Sequence, residues 1–153
     1  MAQREDDAGT LRASRLRYQL RVVLEDAAAE SARARTDHPA LGPLGDVLAR
    51  HDAVLVCQYD AFAGYCAEAE RNGIDGYPLY AWTRATIEDP ARKAKYLRSF
   101  SLHVGGAEVY DGDRADALEK DLRPLVGGAV VKTLARHDTD PANNPQMPER
   151  YRP

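Results

Sequence analysis

Four histidines and two cysteines are the residues of this chain best suited to chemistry near neutral pH. His51-Asp52 and His137-Asp138 each set a carboxylate beside an imidazole, the ingredients of general acid–base catalysis. Sequence neighbours diverge, by about 100° on a helix and to opposite faces on a strand, so spacing alone makes neither pair an oriented dyad. His51, on an apolar stripe, is expected as a hydrogen-bonded, partly buried histidine, and His137 as a strand-end residue. Asp111, Asp113 and Asp116 put oxygens at positions 1, 3 and 6 of a turn, but glycine at position 6 and the later bidentate Glu of an EF-hand loop are missing. A turn feeding a helix cap accounts for them. With no His-x-x-x-His pair either, no metal and no cofactor is expected.

Cys57 and Cys66 stand nine apart, about 13.5 Å along a continuous helix, beyond the roughly 7 Å Cα separation that a disulfide spans. Neither has a fixed positive charge beside it in sequence to lower its pKa. Gly-x-Gly-x-x-Gly, P-loop and Gly-x-Ser-x-Gly patterns are absent.

Aromatic residues carry more information. Nine of the eleven lie between Tyr59 and Tyr110, and Tyr outnumbers Phe eight to two, so many rings bear a hydroxyl that needs water or a partner. Tyr77, Tyr80 and Trp82 fall within six residues. Tyr and Trp with Arg nearby are what interface centres are enriched in; the competing reading closes the core with Trp82 and Tyr80 beneath a long loop. Just downstream, Arg92, Lys93, Lys95 and Arg98 surround Tyr96. With Arg12, Arg15, Arg17 and Arg21 they form the two basic clusters a nucleic-acid surface would need on one face, Tyr96 stacking on a base.

These side chains hang on elements the pattern suggests. Tyr18 to Leu24 alternates as a half-buried strand, and the alanine-rich 27–35 run reads as a short helix. From Leu44 to Ala69, apolar or aromatic positions recur every three or four residues, with His51 the one member that can titrate near neutral pH. That series predicts one long helix over 44–70, in competition with a short buried strand at Val54-Leu-Val-Cys57. Gly73 stops it inside a turn-rich stretch. Asp89-Pro90 is an N-cap followed by proline at the first helical position. Residues 99–104 and 107–110 around Gly105-Gly106 read as a β-hairpin. Asp113 caps a further helix bearing Ala115, Leu118, Leu122 and Leu125, which Gly127-Gly128 stops, and 129–134 is a last strand. Leu48-Ala-Arg-His-Asp52 recurs as Leu134-Ala-Arg-His-Asp138, which raises a duplicated strand-plus-helix unit, although the two copies fall in different predicted elements.

The 153 residues suit one domain, and 44% apolar composition fills its core without staples. Net charge is −3, so no global field draws the chain to nucleic acid or membrane. The start shows no apolar signal core and no window approaches a membrane span, giving a cytoplasmic expectation. Arg exceeds Lys 17 to 4 and Ala numbers 25, a bias expected of a GC-rich bacterial or phage genome that says nothing about chemistry.

The expected architecture is therefore α+β: a small, mostly antiparallel sheet from 18–24, 99–104, 107–110 and 129–134, packed on one face by the long 44–70 helix and shorter helices. A loose arm (1–14) precedes the domain (15–138), and an extended tail (139–153) follows. The expected function is a non-catalytic protein-binding module: an accessory subunit, an adaptor or a phage-type inhibitor of a larger assembly. Tyr77, Tyr80 and Trp82 anchor the partner, Arg92, Lys93 and Lys95 form a charged rim with Tyr96 and Arg98 as further contacts, and the tail with Tyr151 is a docking arm. The alternatives are a small His/Asp acid–base enzyme and a nucleic-acid binder using residues 92–98.

Overall fold

The computed structural model describes residues 17–140 and residue 150; the expected arm, most of the tail and Tyr151 lie outside the described residues. Four strands, β1 (Tyr18–Leu24), β2 (Ala53–Cys57), β3 (Ser99–Val104) and β4 (Val131–Asp138), form one antiparallel sheet in the order β2-β3-β1-β4. The helices are α1 (Asp26–Ala34), α2 (Pro43–Arg50), α3 (Gln58–Asn72), α4 (Tyr80–Glu88), α5 (Pro90–Leu97) and α6 (Gly112–Leu122). The α+β class with an antiparallel sheet is as the sequence predicts.

Period-two alternation decides which sheet face is buried. Leu20, Val22 and Leu24 of β1 share one face with Phe100, Leu102 and Val104 of β3 and with Ala53, Leu55 and Cys57 of β2, all buried. Ala28, Ala29 and Ala32 of α1, Leu44, Val47 and Leu48 of α2, and Ala115, Leu118 and Leu122 of α6 complete this core. The other face carries Gln19, Arg21, Ser101, His103, Thr133 and His137. There Arg21 Nε donates to Gln19 Oε1, and Gln19 Nε2 donates to the Glu108 carbonyl.

The long 44–70 helix is corrected. Helix α2 ends at Arg50, His51 and Asp52 turn the chain, and Ala53–Cys57 is a strand before α3 begins. Asp52 makes the turn with φ +50°, and its carbonyl accepts from Gly105 N–H. The competing strand at Val54-Leu-Val-Cys57 is the one that forms, because β3 supplies a full ladder from Ala53↔Val104 to Cys57↔Phe100. Two helical stripes joined by a short apolar strand happen to keep a spacing of three and four.

Smaller differences follow the same logic. Gly105 and Gly106, at φ +56° and +80°, make the two-residue turn, both positive as a type I′ turn requires, but 107–110 is not a regular strand. After the Val104↔Ala107 bridge the chain leaves β3, and Tyr110 bridges Tyr18 of β1 instead. Asp111, not Asp113, caps α6, accepting from Arg114 N–H at 2.7 Å. The last strand runs to Asp138 rather than ending at 134. Tyr80 and Trp82 lie on a helix, α4, and are half-buried rather than closing the core beneath a long loop. The first copy of the repeated pentapeptide ends α2 and enters the turn, while the second is strand, so the two do not occupy equivalent positions of a duplicated unit.

Helix α3 leaves β2 at Cys57 and α5 enters β3 at Ser99. Because Cys57 pairs with Phe100, both junctions stand at one end of the sheet. His51 and Asp52 precede Ala53, which pairs with Val104, and so stand at the other.

Candidate functional site

Helices α3, α4 and α5 pack on one another around the buried side chains of Cys66, Ala69, Thr86 and Ile87, and α5 contributes no buried residue. Cys66, Ala69 and Ile87 are not part of the main core. This limited satellite core leaves the large rings of these helices only half covered. Phe62 and Tyr96 meet edge to face with centroids 5.1 Å apart. Together with Leu79, Trp82, Thr83 and Thr86 they wall a mainly apolar cleft of about 180 Å³. Its rim is held from two sides: Asp89 Oδ1 caps α5 by accepting from Ala91 N–H, and the Tyr65 hydroxyl accepts from Leu79 N–H where α4 begins.

The structure brings together Trp82 and Tyr96 of the expected contacts, with Phe62, which the sequence did not single out. It sets Tyr77 and Tyr80 aside. Asn72 Nδ2 donates to the Tyr77 hydroxyl at 2.9 Å, and the Tyr77 ring stands edge to face against Tyr65. The Tyr80 hydroxyl donates to Glu70 at 2.8 Å, which holds its phenol above the ordinary value. Lys93 and Lys95 are exposed, and their ammonium groups lie over the Tyr59 and Tyr96 rings at 5.4 Å from each centroid. Arg92 lies 3.8 Å from Asp89, and Arg98 lies 3.5 Å from Asp26. Arg17, from the second basic cluster, is bound through two 2.8 Å contacts to Asp138 at the opposite end of the sheet; Arg12 and Arg15 lie outside the described residues.

A second constellation sits at that opposite end. His51 does not meet Asp52; its Nε2 is 2.7 Å from Oδ2 of Asp121, on the last turn of α6. The His51 contact is the main cause holding the Asp121 carboxyl below its ordinary value, with Arg50 assisting. His51, Arg50, Asp52, Asp111, Asp113, Arg114 and Ala117 line an open hollow of about 560 Å³. As its place on the apolar stripe predicts, His51 is partly buried and hydrogen-bonded, with its side chain 19% exposed. Its partner is seventy residues away, and no local signal announced it. His137 lies in β4 on the polar sheet face, its pKa lowered by burial and by Arg21. Both cysteines are free and buried, and burial raises both thiols, the reverse of an activated nucleophile. Among the described residues no group of three His, Cys, Asp or Glu could hold a metal, and no helix is long and apolar enough to cross a membrane.

Comparison of the chain with protein-family models, curated proteins and solved structures finds no match.

Proposed function

We propose that this protein is a docking module that binds another protein through the cleft between α3, α4 and α5. The observation that supports the reading is the convergence of Phe62, Trp82 and Tyr96 on a solvent-open slot of about 180 Å³. Small-molecule and cofactor sites run about 300–1,000 Å³, so this one is undersized for them. A pocket for one anchoring side chain, ringed by aromatic groups, is the usual geometry of an interface hot spot. The test is co-purification from the native host with wild type, Trp82→Ala and Leu79→Ser. Leu79 lines the slot yet is 44% exposed, so Leu79→Ser should keep the fold and lose the partner. Retention of the same partner by both variants would refute the site.

A second reading, proton transfer at His51, has its own supporting observation. Nε2 is held by Asp121, while Nδ1 has no partner among the described residues. Since no buried side-chain nitrogen or oxygen of the described residues is left unpaired, Nδ1 is within reach of solvent. An imidazole held by a carboxylate at one nitrogen and free at the other is the arrangement of a general base. Modification by diethyl pyrocarbonate, mapped by mass spectrometry, should then occur at His51 and change with Asp121→Asn; an inert His51 would leave it as a tie between α2 and α6.

A further inference from the structure

We infer that the segment docked in this cleft is acidic, presenting one bulky apolar side chain flanked by carboxylates. The inference rests on the docking reading above and adds the chemistry of the partner. The stretch from Pro90 to Arg98 carries four cations and no carboxylate. Lys93 and Lys95 form no ion pair among the described residues; Lys95 lies over the ring of Tyr96, a wall of the slot, and Lys93, two residues earlier on the same helix, lies over Tyr59. Among the neighbouring charges, Asp89 faces Arg92, Asp26 faces Arg98 and Asp60 faces Arg33, while Glu70 and Glu88 share Arg84. Lys93 and Lys95 are therefore the two cations of this segment with no carboxylate partner among the described residues, and Lys95 stands at the edge of an apolar slot. Such a rim favours negatively charged partners, chiefly by steering encounter and rejecting cationic ones. Each rim charge is exposed and contributes little alone, so preference must come from several carboxylates together.

Trp82 is the single tryptophan of the chain and lines the slot, which makes its fluorescence a direct reporter. The full-length protein is titrated with a short synthetic peptide that has a central Phe flanked on both sides by Glu and Asp. Parallel titrations use the same peptide with a central Ala, a Lys-flanked Phe peptide, a Ser-flanked Phe peptide and an oligothymidylate. The acidic Phe peptide should change Trp82 emission saturably, weaken as salt is raised, and bind about tenfold more weakly to a Lys93→Glu/Lys95→Glu variant. Both lysines are exposed, so that variant keeps the fold, which circular dichroism checks. Equal binding of acidic, neutral and Lys-flanked Phe peptides would overturn the charge assignment while leaving the docking reading standing. Tighter binding of the oligothymidylate would overturn both in favour of a nucleic-acid partner. A change of emission with protein concentration alone would assign the slot to a second copy of this chain. Silence of Trp82 toward every probe would remove the docking reading and the inference together.

Discussion

Tyr110→Phe removes one oxygen from the middle of the sheet. The β1–β3 ladder runs from Val23↔Ser99 to Arg21↔Ser101 and then stops. At the next step the Tyr110 hydroxyl stands between the strands: it accepts from Leu20 N–H at 2.6 Å and donates to the Leu102 carbonyl at 3.1 Å. Leu20 and Leu102 are fully buried and Tyr110 is 2% exposed, so water cannot replace it. The Phe variant leaves a buried donor and a buried acceptor unsatisfied at about 1–3 kcal/mol each, and partial relaxation of the strands brings the expected cost to about 2–4 kcal/mol. Against a total of about 5–15 kcal/mol that is a large fraction, corresponding to a fall in Tm of roughly 5–15 °C for a domain of this size. Thermal and urea unfolding followed by circular dichroism measure it. Hydrogen exchange should show the Leu20 amide losing protection before its neighbours. Tyr18→Phe is the control, because the Tyr18 hydroxyl makes no hydrogen bond among the described residues, and it should lie within about 0.5 kcal/mol of wild type. A Tyr110→Phe protein that melts with wild type would show that the strands close on each other without the hydroxyl, and the reasoning fails. Burial holds the Tyr110 phenol above its ordinary value, so its contribution is complete below the unfolded-state value of about 10 and lost as pH rises through the folded one.

Stability should also fall on the acid side in two separable steps. His137 has its folded pKa lowered by burial and then by Arg21, with Asp138 opposing; the unfolded chain therefore takes up the proton first, and stability declines as pH drops from about 6.5 through the folded value. Urea midpoints measured across that window should lose this slope in His137→Gln. Asp121 is held below its ordinary value mainly by His51, so its contribution is present above about pH 3.9 and disappears as pH falls through the lower folded value. Asp121→Asn should flatten that limb while leaving the His137 step intact, and an unchanged profile would remove the His51–Asp121 contact from the account. Asp111→Ala takes the cap from α6 and should cost about 1 kcal/mol in chemical denaturation. The same change at Asp113, which does not cap, should cost less; equal costs would contradict the cap assignment.

Local signals were enough for the elements that carry their own reasons. Alternation in Tyr18–Leu24 marked β1, the Asp89-Pro90 pair marked the start of α5, and Gly105-Gly106 marked the tight turn, because side-chain period, a capping oxygen and a positive φ are properties of a few consecutive residues. The run of cations from Arg92 to Arg98 was legible for the same reason. The slot was only half legible: Trp82 and Tyr96 stood out by type, while Phe62 joins them solely through the way α3 packs on α4 and α5.

Leu-Ala-Arg-His-Asp makes the division plain. At 48–52 it ends a helix and turns, with His51 bound to Asp121; at 134–138 it is strand, with Arg136 over the Tyr18 ring and His137 opposite Gln19. Nothing within those five residues distinguishes the copies. The sequence by itself determined the α+β class, the alternation of the central strand and the Asp89 cap of α5. Tertiary structure decided that Ala53–Cys57 is strand, which carboxylate His51 meets and which rings face one another. Each of those outcomes depends on a partner many residues away, and only the assembled sheet and its helices bring that partner within reach.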